Sequence, residues 1–163
     1  MKVIFLDIDG VLNSQKYFIE NHQDNLIYHK VYNSNTIEDK LKLQILDIDL
    51  EKLELIMKIV YETDAKIVIS SSWRKLRIWP LLEDYLISKG LPIIDVTPKL
   101  NDRGEEIRTY LKEHSKIDTF IILDDEVFKD FYELENYLIK TDFYDEGLTE
   151  EDANEAIKIL KRK

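Results

Sequence analysis

The chain has 163 residues, 44% hydrophobic and 34% charged, enough for one buried core and too few for a second independent one. It has no Cys and three His, which excludes disulfides and thiolate metal sites and argues against an imidazole zinc site, while a hard cation on oxygen ligands stays open. The net charge of −10, from 23 basic and 33 acidic residues, argues against an extensive nucleic-acid footprint, which would draw on Lys and Arg.

Met1-Lys2 leads straight into a short apolar run ending at Asp7, too short and too acidic at its end for a signal peptide, so a cytoplasmic protein without membrane association is expected. Residues 2–7 (KVIFLD), 66–70 (KIVIS) and 118–124 (DTFIILD) share one design: an apolar run with a polar residue at its end, as buried parallel strands require. Residues 91–96 and 136–141 are shorter and suit edge strands. Residues 14–48 show no sustained period and form an insertion or flap, with a short hairpin as one form; a lid and a packed surface loop are equally good readings.

The spacing predicts a helix over 50–63, with Asp49 as N-cap and Leu50, Leu53, Ile56, Met57 and Val60 on its inner stripe. Further helices are expected at 79–88, with Pro80 in the first turn and Gly90 past the end, and from about Gly104 to His114. A last one follows Thr149, where Asp152 makes an Asp variant of the capping box and Ala153, Ala156, Ile157 and Leu160 point inward. The alternation predicts an α/β doubly wound parallel sheet in one domain spanning residues 1–163.

Ligands of such sheets bind beyond the carboxyl ends of the strands. The three central strands deliver Asp7, Ser70 and Asp124 there, followed by Asp9, Gly10, Ser71, Ser72, Arg74 and Asp125. A lone strand-end Asp is usually a cap or turn former. Four converging carboxylates would repel one another unless a cation lay between them, and Mg2+ is the natural occupant. Carboxylates with a hydroxyl and an Arg or Lys suit phosphoryl transfer: one acid attacks phosphorus, and the other protonates the leaving oxygen and then activates water. Arg74 reads as a phosphate contact and Trp73 as core or rim packing, while His22, His29 and His114 read as ordinary surface or loop residues. The tripeptide Asp-Ile-Asp recurs at 47–49, where Asp49 caps the helix and Asp47 is expected to face a turn or solvent.

Phe5-Leu6-Asp7-Ile8-Asp9-Gly10-Val11-Leu12-Asn13 resembles the first motif of the haloacid dehalogenase (HAD) superfamily of aspartyl-phosphate phosphotransferases. Ile67-Val68-Ile69-Ser70 resembles its second motif and Ile121-Ile122-Leu123-Asp124-Asp125 its fourth. Residues 65–74 (AKIVISSSWR), Arg103-Gly104-Glu105-Glu106-Ile107 and Gly147-Leu148-Thr149 are similar, more particularly, to the dehalogenase-like domains of "Swiss army knife" RNA repair proteins.

The resemblance implies a three-layer Rossmann-like fold with little or no cap domain, and a magnesium-dependent phosphatase. It makes Asp7 the nucleophile and Asp9 the general acid and base, whose carbonyl also ligates the metal. It makes Asp124 a further ligand, supported by Asp125, and has Ser70 hydrogen-bond the phosphoryl group. Ser71 and Gly10 join the phosphate-binding candidates. The third motif needs a cation, supplied by Arg103 or Lys99; Arg103 is preferred because it opens a helix and can bind phosphate in bidentate fashion. The implied substrate is a phosphorylated small molecule, such as a nucleotide, or a nucleic-acid end. A non-catalytic domain of the same fold is the alternative. A receiver-type phosphoacceptor fits poorly, because the neighbouring central strand ends in Ser70 instead of an acceptor Asp.

Overall fold

The computed structural model describes residues 1–162. Its sheet has five parallel strands: β1 (Lys2–Leu6), β2 (Lys66–Ile69), β3 (Ile93–Val96), β4 (Thr119–Asp124) and β5 (Leu138–Lys140). Their order is β3-β2-β1-β4-β5, so the two runs read as edge strands are the edges. The most apolar run lies at the centre, where it pairs on both sides, Phe5 opposite Val68 and Ile122.

Alternation along β1 splits the core in two. Ile4 and Leu6 face one layer, and Val3 and Phe5 the other. Among the described residues, seven α-helices accompany the sheet: α1 (Gln15–Asn21), α2 (Leu26–Tyr32), α3 (Ile37–Asp47), α4 (Leu50–Thr63), α5 (Trp79–Ser88), α6 (Arg103–Glu113) and α7 (Glu150–Leu160). Helices α4, α5 and α7 cover the Ile4 face through Leu53, Ile56, Leu82, Leu86, Ala153 and Leu160. Helix α6 covers the other through Ile107 and Tyr110. None of these helices is long and apolar enough to cross a membrane.

Capping follows the sequence closely. The Asp49 carboxylate accepts from Glu51 N at 2.9 Å, and Thr149 with Asp152 forms the capping box. The stripe of α4 departs from expectation at its start: Leu50 is half exposed, and Ile59 is fully buried in the core. Residues 14–48 hold α1, α2 and α3, and no hairpin. Two of these helices have only seven residues, too few turns to display a period, yet Ser14, Asn25 and Thr36 each cap one by accepting backbone N–H groups.

Two long-range ties complete the strand ends. Gly10, at φ +70°, turns the chain after Asp9, and its carbonyl accepts from Thr141 Oγ1 at 2.6 Å, while Leu148 N donates to Val11 O at 3.1 Å. The start of α6 is capped from a distance: Asp102 makes no side-chain cap, and Asp130 instead accepts from Gly104 N at 3.2 Å and Glu105 N at 2.8 Å. A Cβ on Gly104 would lie 2.6 Å from Asp130 O, so only glycine permits this approach.

Asp130→Ala should therefore lower stability by about 1–2 kcal/mol in urea unfolding, whereas Asp102→Ala should stay within about 0.5 kcal/mol. An equal or larger cost at Asp102 would contradict the capping assignment.

Candidate active site

The chain leaves β1 for β2 and β3 on one side, and β4 lies on the other, so the switch point of the sheet falls between the ends of β1 and β4. Asp7 follows β1 there and Asp124 ends β4. Asp7 N donates to Leu123 O at 3.0 Å, which ties the two ends together. One carboxylate oxygen from each of Asp7, Asp124 and Asp125 lies within 4.8 Å of the others.

Such crowding has an electrostatic signature. Burial pushes Asp7 above the usual carboxylate range, against the pull of Arg103 and Ser71. Asp124 is pushed up to about 8, first by burial and then by the charge of Asp7, and Asp125 to about 6 for the same two reasons. Arg103 Nη1 stands 2.6 Å from Asp124 Oδ2 and 3.6 Å from Asp7 Oδ1, with its guanidinium over the Phe128 ring. One guanidinium offsets one charge of three. A hard divalent cation on oxygen donors fits the remainder.

Asp9 is exposed at the mouth of a cleft of about 370 Å³ that Asp7, Ser72, Arg103, Asp125 and Phe128 also line. Its carboxylate lies outside the three-acid cluster, because Asn13 Nδ2 donates to Oδ1 and Trp73 Nε1 to Oδ2, each at 2.8 Å. Asn13 and Trp73 are thus positioning residues that the sequence reading missed. The DGVLN spacing is a signal for Asn13, since Asn13 Oδ1 also accepts from Gly10 N at 2.9 Å across the turn.

Several expected roles change. Arg74 is buried, and all five of its N–H donors are spent: Nε on Thr97 O, Nη1 on Ser70 O and Ser71 O, Nη2 on Pro98 O and Glu106. None is left for a phosphate, so Arg74 braces the serine turn. Gly10 has both backbone polar groups engaged, by Asn13 and Thr141, and a Cβ there would lie 2.4 Å from Asp125 Cγ; it shapes the turn and has no free N–H to offer a phosphate. Lys99 is exposed and does not line the cleft, where Arg103 does. Ser70 and Ser71 are fully buried, the Ser70 hydroxyl without a partner, and Ser72 is the serine that reaches the cleft.

Glu106 is buried between the two arginines, 2.6 Å from Arg74 Nη2 and 4.0 Å from Arg103 Nε. His22 is buried as well, stacked on Tyr28 and bonded to Leu46 O at 2.8 Å. Asp47 departs furthest from expectation. It accepts the Tyr28 hydroxyl at 2.5 Å, and it lines a second cavity, of about 210 Å³, together with Asp9, Asn13, Tyr17, Phe18 and Phe143. The helices of the insertion therefore stand beside the strand ends, as a lid would. A larger groove of about 540 Å³, between α4 and the start of α7, is lined by Glu51, Lys58, Glu150 and other charged residues, and contains none of the strand-end acids.

Arg74→Ala should cost about 3–5 kcal/mol in urea unfolding, because it removes the nearest partner of the buried Glu106, which keeps only Lys75 at 3.5 Å and Arg103 at 4.0 Å, and unpairs the carbonyls that Arg74 gathers. Wild-type stability with weakened phosphate binding would reinstate the phosphate contact. The raised acids give a second expectation. Because Asp124 and Asp125 hold protons in the folded state that the unfolded chain releases near pH 4, their contribution to stability is full below that value and is lost as pH rises through about 6 and 8. Melting without metal should reveal that decline, and millimolar Mg2+ should raise the melting temperature more at pH 8 than at pH 6. A metal effect independent of pH would contradict the cluster.

No curated protein and no solved structure matches the chain. A family model, described as the HAD domain in Swiss Army Knife RNA repair proteins, matches residues 3–153, a span running from the central strand into α7. It takes in both ends of the switch point, with the acids of β1 and β4 and the arginine between them, and so the chain belongs to that HAD domain family.

Proposed function

We propose that the protein is a magnesium-dependent phosphatase that hydrolyses a phosphate monoester, of a nucleotide or of a nucleic-acid end, through an aspartyl-phosphate. One observation carries this reading: Asp7 lies in a three-carboxylate cluster beside the Arg103 guanidinium and opens on a cleft that Asp9 shares. The family is that of a domain found in RNA repair proteins, which supports a nucleotide-bearing substrate. The net charge of −10 favours a short or terminal contact over a long polynucleotide track.

The chemistry follows from the residues. A carboxylate oxygen of Asp7 attacks phosphorus, and the bond to the ester oxygen breaks as Asp9 supplies that oxygen with a proton. Water then attacks the phosphorus of the acyl phosphate while Asp9 takes its proton, which releases phosphate and restores Asp7. Arg103 screens the charge gathering at the phosphoryl oxygens. Mg2+, held by Asp7, Asp124 and Asp125, would supply the rest of that neutralisation. Asn13 and Trp73 fix the Asp9 carboxylate, and each of its oxygens keeps a lone pair for the proton in transit.

Asp7→Asn should abolish magnesium-dependent release of p-nitrophenol from its phosphate ester, and Asp9→Asn should slow it by about 10²–10⁴-fold with the fold intact. Equal release from wild type and Asp7→Asn, or none from wild type across several esters and divalent metals, would sink the phosphatase and leave a binding domain.

A further inference from the structure

Asp9 and Phe143 face two cavities. The first is the cleft of Asp7 and Arg103. The second shares Asp9 and Phe143 with it and is otherwise bounded by Asn13, Tyr17, Phe18, Tyr28 and Asp47. Its walls are aromatic, supplied by α1, α2 and Phe143, and its polar groups are acceptors or neutral donors. Among the described residues no Lys or Arg lines it, and two carboxylates do. Asp47 Oδ1 is taken by the Tyr28 hydroxyl, and no described residue donates to its Oδ2.

A monoester whose phosphorus sits at Asp7 has its ester oxygen at Asp9, so the alcohol beyond that oxygen extends towards the second cavity. From this arrangement we propose that the cavity between Asp9 and Asp47 is the leaving-group subsite. It takes an uncharged alcohol bearing a flat ring, of nucleoside size, and refuses one that carries further phosphate. Flat aromatic walls suit a ring that stacks, and the open carboxylate oxygen suits a hydroxyl or amino hydrogen. The two carboxylates and the lack of a basic side chain oppose an anionic group there. Asp47 is then a specificity-determining residue, and the preferred substrate is a nucleoside monophosphate in place of an oligonucleotide end. The inference rests on the phosphatase reading.

The experiment compares kcat/KM, with Mg2+, for a nucleoside 5′-monophosphate, the matching 3′,5′-bisphosphate, a short 5′-phosphorylated oligonucleotide and acetyl phosphate, whose leaving group is too small to fill the subsite. Wild type should prefer the monophosphate to the bisphosphate and to the oligonucleotide by about tenfold or more, and Asp47→Asn should narrow that margin. Phe18→Ala, with Tyr17→Ala as a second variant, should lower the ratio of monophosphate to acetyl phosphate by about tenfold, the scale of one lost stacking contact. Turnover of acetyl phosphate certifies in the same sample that a variant is folded. Ratios that no variant moves, or a preference for the oligonucleotide, would overturn the subsite while leaving the phosphatase standing. No turnover of any ester by wild type would remove both.

Discussion

Three clustered carboxylates, two of them buried and the third half-buried, at the junction of two parallel strands are the constraint around which this molecule is arranged. Apolar strands packed on both faces force Asp7 and Asp124 together at the sheet switch point, and Asp125 follows one residue later. Their repulsion has to be met by positive charge. Arg103 is the protein's own share, and its position is fixed by devices outside the cluster. Asp130 caps the helix that starts at Arg103, Gly104 lets Asp130 approach, and Glu106 links Arg103 to Arg74. Arg74 in turn gathers the carbonyls of the serine turn and of Thr97-Pro98. The second and third motifs are thus joined by one buried ionic chain.

The two Asp-Ile-Asp copies are closer in space than their contexts suggested. The first carries Asp7 and Asp9 at the strand end. The second does cap α4 through Asp49, but its Asp47 faces the cavity behind Asp9. The same local sequence supplies acids to two neighbouring compartments, because α3 brings the chain back over the strand ends just before α4 begins.

The sheet was readable because buried parallel strands leave an unmistakable mark, continuous apolar runs that end in polar residues, and because caps such as Asp49 and Thr149 act over three residues or fewer. Asp7, Asp124 and Arg103 could be placed for the same reason: each stands at the end of an element. Arg74 could not, since its five acceptors come from three separate segments and nothing beside it in the chain announces them. Trp73 reaching Asp9, 64 residues away, was equally silent. The short helices of the insertion showed only in their caps, for two turns carry no period.

The ties from Thr141 to Gly10 and from Leu148 to Val11 have a temporal meaning. The loop bearing Asp9 precedes its closing partners by more than a hundred residues of chain. A growing chain that already holds β1, β2 and β3 still lacks both the fourth strand and this latch. The acids of the first motif therefore remain apart from their companions until β4 has been made, and full assembly of the acid cluster coincides with long-range closure of the sheet, a slow kind of contact to make. The order of the segments thus sets when the acid cluster can form.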